Sequence, residues 1–384
     1  MTSIEWVKNN DGSDGKTWNP IRASRMVDDG KGGKMALRGW HCEHVHEGCS
    51  GCYAGDQNEA GFRGGTKLPY KPGHRNDVEI FLDEKVLLAP LRWRKPTKIF
   101  PCSMTDLFGD WVPDEWLDKI YAVMALCPQH TWIVLTKRPR RMRDYLATAL
   151  DDGGAFDRII LQMMAHVDAG YPTVNETCER FGIPWTKARS AHDWWPLNNV
   201  WQMVSCSEQK DADEFVPLLL DTPAAVRGVS LEPLLGPIDL TALALPRWRK
   251  EEAADANMPR VRIDALRGYV AGPDERLSAK LDWAITGGES GPNGRCMHLD
   301  WEQSLREQCE RANVPYFRKQ WGAWAWAPED LNYEQALAWG RAKFGQRVSY
   351  KHHSSGHTSF RVGKKKSGAL RDGVAHMAWP EARS

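Results

Sequence analysis

Apolar and polar positions along the chain fall into a repeating order: a compact apolar run, then small, polar or charged residues, then a helix-like stretch. Ile99-Phe100-Pro101-Cys102 leads into Ser103-Met104-Thr105-Asp106, and residues 114–126 predict a helix. Thr131-Trp132-Ile133-Val134-Leu135 leads into Thr136-Lys137-Arg138-Pro139, with a helix to about Leu150. Val200-Trp201-Gln202-Met203-Val204 runs into Ser205-Cys206-Ser207-Glu208, and a helix carries Phe215 to Leu220. Val226-Arg227-Gly228-Val229-Ser230-Leu231 runs into Glu232-Pro233. Trp283-Ala284-Ile285-Thr286 runs into Gly287-Gly288-Glu289-Ser290-Gly291, with a helix from about Trp301 to Ala312. Pro315-Tyr316-Phe317-Arg318 ends at Lys319-Gln320-Trp321-Gly322, and a strand at Lys16-Thr17-Trp18 brings the count to about seven. Strands alternating with helices imply parallel pairing through right-handed crossovers. The expected fold class is therefore α/β, a partial or complete (β/α) barrel of parallel strands with insertions, whose chemistry gathers at the strands' carboxyl ends.

Other stretches depart from the repeat. Residues 28–34 read as an exposed Gly- and Lys-rich loop, and helices are expected after Cys52 and over residues 84–94, where Val86, Leu87, Leu91 and Trp93 give an apolar side. Residues 153–197, with Trp185, Trp194 and Trp195, and residues 241–280 read as insertions in a barrel domain spanning residues 1–345. Residues 346–384 form a basic extension with His352, His353, His357 and Lys364-Lys365-Lys366, whose Gly and Ser neighbours predict loops.

Composition narrows the class. Of 384 residues, 42% are hydrophobic and 26% charged, which suits a soluble globular protein with a substantial core. No apolar run is long enough to span a bilayer, and the first residues lack the pattern of a signal peptide, so a cytoplasmic protein is expected. A net charge of +1 announces no global field for nucleic acid, so local patches must carry that argument. Arg92-Trp93-Arg94-Lys95, its echo Arg247-Trp248-Arg249-Lys250, and Arg138, Arg140, Arg141 and Arg143 offer phosphate contacts interleaved with aromatic rings. Solvated helix ends account for each tetrad separately.

The densest candidate chemistry lies at Cys42, Cys49 and Cys52, spaced C-x6-C-x2-C. Thiolates hold zinc or iron–sulfur clusters, and Gly48 and Gly51 allow a sharp bend around a bound object. With His44 or His46 the triad equally fits a Cys3His zinc site. Nine cysteines, an odd number, argue against a disulfide framework, and Cys102, Cys127, Cys178, Cys206, Cys296 and Cys309 read as small buried apolar residues.

Seven blocks in order resemble a phage-associated branch of the radical S-adenosylmethionine (SAM) enzymes. These are Trp18-Asn19-Pro20, Gly51-Cys52-Tyr53-Ala54, Ser103-Met104-Thr105-Asp106-Leu107-Phe108, Leu135-Thr136-Lys137-Arg138-Pro139, residues 230–236, residues 287–291 and residues 319–322. The spacing departs from the C-x3-C-x2-C usual in that superfamily. The resemblance implies a radical SAM type of barrel, a [4Fe–4S] cluster on Cys42, Cys49 and Cys52, SAM as cofactor, a reductant such as flavodoxin or ferredoxin, and the host cytoplasm as location. By position, Ser103, Thr105 and Asp106 are expected to meet the methionyl end of SAM, and Ser205 and Glu208 its ribose. Gly287 and Gly288 let backbone approach a ligand, with Glu289 on a ribose hydroxyl or substrate amine. Lys137 and Arg138 are expected to bind an anionic group, with Glu232 at the barrel mouth and Lys319 and Gln320 closing the far side. Glu232, Glu289 and Lys319 are the candidate catalytic residues. A base in DNA, or a nucleotide, is the expected substrate class. A radical SAM enzyme acting on a peptide or small metabolite, and a non-catalytic zinc protein that binds nucleic acid, are the alternatives.

Overall fold

The computed structural model describes residues 4–61, 64–183, 194–244, 262–271, 276–277, 279–291, 293–371 and 373–381. Its centre is one sheet of seven strands: β1 (Lys16–Trp18), β2 (Lys98–Pro101), β3 (Thr131–Thr136), β4 (Val200–Ser205), β5 (Val226–Leu231), β6 (Trp283–Gly287) and β7 (Tyr316–Gln320). Spatial order follows chain order, every neighbouring pair is parallel, and β1 and β7 are the two edges. The fold is thus a partial parallel β/α barrel. Its helices include α1 (Tyr53–Ala60), α2 (Asp114–Leu126), α3 (Pro139–Ala147), α4 (Gln209–Leu220) and α5 (Leu299–Ala312). The bounds of α2 coincide with the expected residues 114–126, since Pro113 precedes it and Asp114 and Glu115 sit in its first turn.

Side-chain alternation along the strands divides the core in two. The inward positions Phe100, Ile133, Trp201, Met203, Trp283, Ile285 and Phe317 form one cluster, plugged at the amino ends by Trp6 and Val7 and flanked by Trp379. Trp379 Nε1 donates to the Trp6 carbonyl at 3.1 Å, which seals that end with the two extremes of the described chain. Outward positions pack a larger core under the helices. Because successive inward residues are two apart, Leu135 also packs against this cluster, and the inward positions that come after it and after Met203, Ile285 and Phe317 are Lys137, Ser205, Gly287 and Lys319, so the barrel interior changes from apolar to polar groups along its axis.

Elsewhere several expectations change. The predicted loop at residues 28–34 is the turn of a hairpin, Ile21–Asp28 paired with Lys34–Gly39, to which Glu79–Leu82 adds a third antiparallel strand. The helix expected over residues 84–94 is broken into Glu84–Leu87 and a 3₁₀ turn, Ala89–Arg92, because Pro90 has no N–H to continue an α-helix. Within residues 153–197, helices Ala155–Asp168 and Val174–Phe181 are formed, and Trp195 packs against Tyr121 and Phe156; Trp185 lies outside the described residues. Within residues 241–280, four short strands form an antiparallel sheet, and Arg247-Trp248-Arg249-Lys250 lie outside the described residues. The tail expected to be loops contains two strands, Tyr350–His352 and Thr358–Arg361, which make an antiparallel sheet with Trp324–Trp326 of the preceding segment against helix Tyr333–Phe344, centred on fully buried Phe360. Strands of three and four residues are too short for their alternation to register in the sequence.

Candidate functional site

The chain between Trp40 and Cys52 lies over the carboxyl ends of the strands and is tied to them from both sides. Thr105 Oγ1 donates to the His41 carbonyl at 2.5 Å, and the Arg138 guanidinium donates to the Glu43 carbonyl at 3.1 Å. Across the mouth, Arg295 bridges Glu47 at 2.8 Å and Glu289 at 2.7 Å. Gly48 and Gly51, expected to bend sharply around a bound object, have ordinary negative φ. They are needed instead for close approach. A Cβ on Gly48 would sit 2.0 Å from Ser207 Oγ, and one on Gly51 would sit 2.2 Å from the Glu289 carboxylate.

Beneath this loop the inward polar residues touch one another. Lys137 Nζ donates to Ser205 Oγ at 2.8 Å, Ser205 Oγ to the Glu232 carbonyl at 3.4 Å, and Ser230 Oγ to the Glu232 carboxylate at 3.2 Å. Lys319 Nζ closes the chain at 3.2 Å from the other Glu232 oxygen, and Gly287 lies against that carboxylate. Tyr53 faces the same space, and its hydroxyl donates to the Ser103 carbonyl at 2.9 Å. Burial of that hydroxyl, with Cys52 and Glu232 nearby, pushes the phenol pKa up, yet 51% of the residue is accessible. The ring therefore borders an opening over the strand ends rather than filling it.

Other expected ligand-contacting groups are engaged within the protein. Buried Asp106 accepts from Thr136 Oγ1 at 2.6 Å, from the N–H groups of Phe108 and Lys137 at 3.0 Å each, and from Arg138 at 3.2 Å. Burial opposes the charge on Arg138, but Asp106 holds its pKa above the usual value. Ser103 Oγ accepts from Asn19, and Gly288 donates its N–H to the Gln320 carbonyl while the Gln320 amide donates back to the Gly288 carbonyl. Glu208 precedes α4 and pairs with Lys210 at 2.7 Å, while Asp211 accepts from the N–H groups of Ser207 and Glu208 and so caps that helix. Both Glu289 oxygens are held by Arg295, which outweighs burial and lowers the carboxyl pKa. Arg295 went unrecognised in the sequence because its partners Glu47 and Glu289 are distant from each other along the chain.

The three cysteines require a correction. Cys42 and Cys52 pack with Trp40 beside Tyr70, Met104 and Ala54, and Cys49 is buried at the end of a 3₁₀ turn, Glu47–Cys49. Burial, reinforced by neighbouring negative groups for Cys42, pushes both the Cys42 and Cys52 thiols up. Among the described residues, no group of three or more His, Cys, Asp or Glu side chains is arranged to hold a metal ion. The expectations of a [4Fe–4S] cluster, of the zinc alternative, of SAM as cofactor and of radical SAM enzyme chemistry are overturned by that finding, as is assignment to the radical SAM superfamily. Here the thiols act as small apolar residues, which is how a buried cysteine ordinarily packs.

Beside the strand ends a cleft of about 890 Å³ opens between α3 and α4. Lys137, Arg138, Arg140 and Arg141 line one side and Lys210, Asp211, Glu214 and Phe215 the other, with His46 of the cysteine loop and Asp110 between them. Burial, with Lys137 and Lys210 nearby, lowers the His46 pKa to about 3, so the imidazole is neutral at pH 7. His46 Nε2 and Ser207 Oγ are both buried without a hydrogen-bond partner among the described residues. No helix among the described residues is long and apolar enough to cross a membrane.

Comparison with other proteins adds a family and nothing finer: neither a curated protein nor a solved structure matches the chain. A family profile does match residues 36–380, nine-tenths of the sequence and nearly the whole of the barrel with its cysteine loop. The chain belongs to the family described as "Protein of unknown function (DUF5131)".

Proposed function

We propose that the protein binds a nucleotide, free or within a DNA strand, at the carboxyl-end face of its partial barrel. The observation that carries this reading is the pair of ammonium groups, Lys137 and Lys319, joined through Ser205 and Glu232 near the half-exposed residue Tyr53. Such a face offers cations for phosphate, a carboxylate and hydroxyls for the polar edge of a base or sugar, and an aromatic surface for stacking. In this reading Glu232 and Lys319 orient the ligand. Glu289 acts at one remove, holding Arg295 and through it the loop at Glu47.

The test is a titration with mononucleotides and short single-stranded oligonucleotides at several salt concentrations, followed by intrinsic tryptophan fluorescence. Saturable binding that weakens as salt rises is expected, with Lys319→Ala and Tyr53→Phe distinguishing charge from hydroxyl contributions. Removal of the Lys319 charge should weaken binding by about tenfold, and Tyr53→Ala by about as much through lost stacking. Absence of saturable binding at low salt, or equal affinity of Lys319→Ala and the unaltered protein, would refute the reading.

A further inference from the structure

We propose that the amino terminus of α3, where it opens into the cleft, is a subsite for a single phosphate group; the carrier of that phosphate rests on the nucleotide reading. The first turn of a helix presents N–H groups with no intrahelical acceptor and a partial positive charge, and is ordinarily matched by a capping oxygen or an acidic residue. This nine-residue helix has neither: Arg138 at its cap makes no side-chain capping bond, Pro139 follows, and the first turn holds no acid. Four cationic residues gather there instead, adding like charge to the positive end of the dipole. Three are already engaged, Lys137 with Ser205, Arg138 with Asp106 and the Glu43 carbonyl, and Arg141 with the Gly109 and Val112 carbonyls and Asp114. Arg140 is exposed and has no ion-pair or hydrogen-bond partner among the described residues.

A second, independent observation comes from another part of the chain. His46 reaches the same cleft with only 5% of its side chain exposed. The Gly48 N–H donates to its Nδ1 at 3.1 Å, which places the hydrogen of the neutral ring on Nε2. That buried N–H donor is without an acceptor among the described residues. An anion in the cleft supplies one while also meeting the free N–H groups of α3 and the Arg140 guanidinium, the combination by which helix starts bind phosphate. The opposite wall limits the ligand. Asp110, Asp211 and Glu214 also line the cleft, with the Asp211 carboxylate 3.6 Å from His46 Nδ1, so a run of phosphates would meet repulsion and the ligand is held to one phosphate at the α3 end.

The experiment uses the full chain and inorganic phosphate as probe, read by calorimetry and by nitrogen-detected NMR of the histidine rings. Phosphate should bind saturably and shift the His46 Nε2 signal. Arg140→Ala and His46→Phe, each checked for an unchanged circular dichroism spectrum and melting temperature, should each weaken binding by about tenfold, the loss of one charge-assisted or buried hydrogen bond. No shift of the His46 signal, or full affinity in Arg140→Ala, overturns the subsite. Competition then names the carrier. Displacement of phosphate by a nucleoside monophosphate, with Lys319→Ala impairing that competitor and not phosphate itself, supports a nucleotide spanning both places. Phosphate binding with no displacement by mononucleotide or oligonucleotide sustains the subsite and refutes the nucleotide reading.

Discussion

Two regions of the protein place arginine in contrasting surroundings, and they handle its charge in opposite ways. At the β7 edge, Arg318 and Glu302 have no exposed side-chain surface and lie 3.0 Å apart. Arg318 also donates to the carbonyls of Ala369 and Val374, while Glu302 accepts from Tyr316 at 2.8 Å. At the start of α3 a larger group of cations leaves Arg140 without a partner among the described residues, in the same cleft as the His46 donor that likewise has none there. A buried charge must find internal partners or the fold suffers, so the first region fastens the carboxyl-terminal segment to the sheet. A charge at the mouth of a cleft can wait for a partner from outside. The difference marks the first cluster as part of the scaffold and the second as part of a binding surface.

That contrast breaks most visibly at Glu302. Glu302→Ala strands a buried guanidinium and should cost about 3–5 kcal/mol in denaturant-derived stability, whereas the joint change Glu302→Leu with Arg318→Met should recover most of it. A loss below about 1 kcal/mol would mean that Arg318 is not held as the geometry implies.

Asp106 belongs with the scaffold although it sits at the mouth. Asp106→Asn removes the charge facing Arg138 and should cost about 2–3 kcal/mol, with faster amide exchange at residues 42–46 because Arg138 anchors the Glu43 carbonyl. Unchanged exchange there would detach the loop from this anchor.

Acid separates the regions on another axis. Burial, chiefly, lowers His46 to about 3 and His130 to about 4, so the folded protein keeps both neutral while the unfolded chain protonates them near pH 6.5. Stability should be fully present above pH 6.5 and fall as pH drops toward the folded values, each ring approaching about 1.4 kcal/mol per pH unit. Chemical denaturation between pH 7 and pH 5 measures the slope, and His130→Gln should flatten it; an unchanged slope in that variant would remove His130 from the account. Phosphate supplying an acceptor to His46 should itself raise stability at neutral pH.

Arg140 gives the smallest effect on the fold. Arg140→Ala should change stability by less than about 0.5 kcal/mol, as for an exposed side chain that has no partner among the described residues. A larger loss in thermal or chemical unfolding would place it in the scaffold and erase the contrast with Arg318.

Much of the barrel was legible because its strands are fully buried. Apolar runs such as Trp132-Ile133-Val134-Leu135 announce themselves, and the polar residues that come after them occupy the carboxyl ends. The small sheet around Phe360 was not, since its strands offer too few positions for alternation to show. The cysteine loop misled for a different reason. Spacing of Cys42, Cys49 and Cys52 advertises ligands, but whether sulfurs converge on a metal depends on side-chain directions in a loop, and here Trp40, Tyr70 and Met104 pack around two of them. Asp106 and Glu208 illustrate the same point: a carboxylate at a strand end is identical on paper whether it faces a ligand, an arginine or a helix start.

The sequence by itself determined the seven strands, their parallel order and the face on which polar groups gather, because hydrophobic burial acts through local periodicity that a linear pattern records. Only the tertiary structure decided which of those polar groups are consumed by the fold. Arg295 meets Glu47 from 248 residues away, Lys137 meets Ser205 across 68, and His46 comes to lie beside α3 and α4 with no partner for Nε2 among the described residues. Such pairings depend on distance in space, and in a parallel barrel the crossovers that create them leave no mark in the spacing of the residues they join.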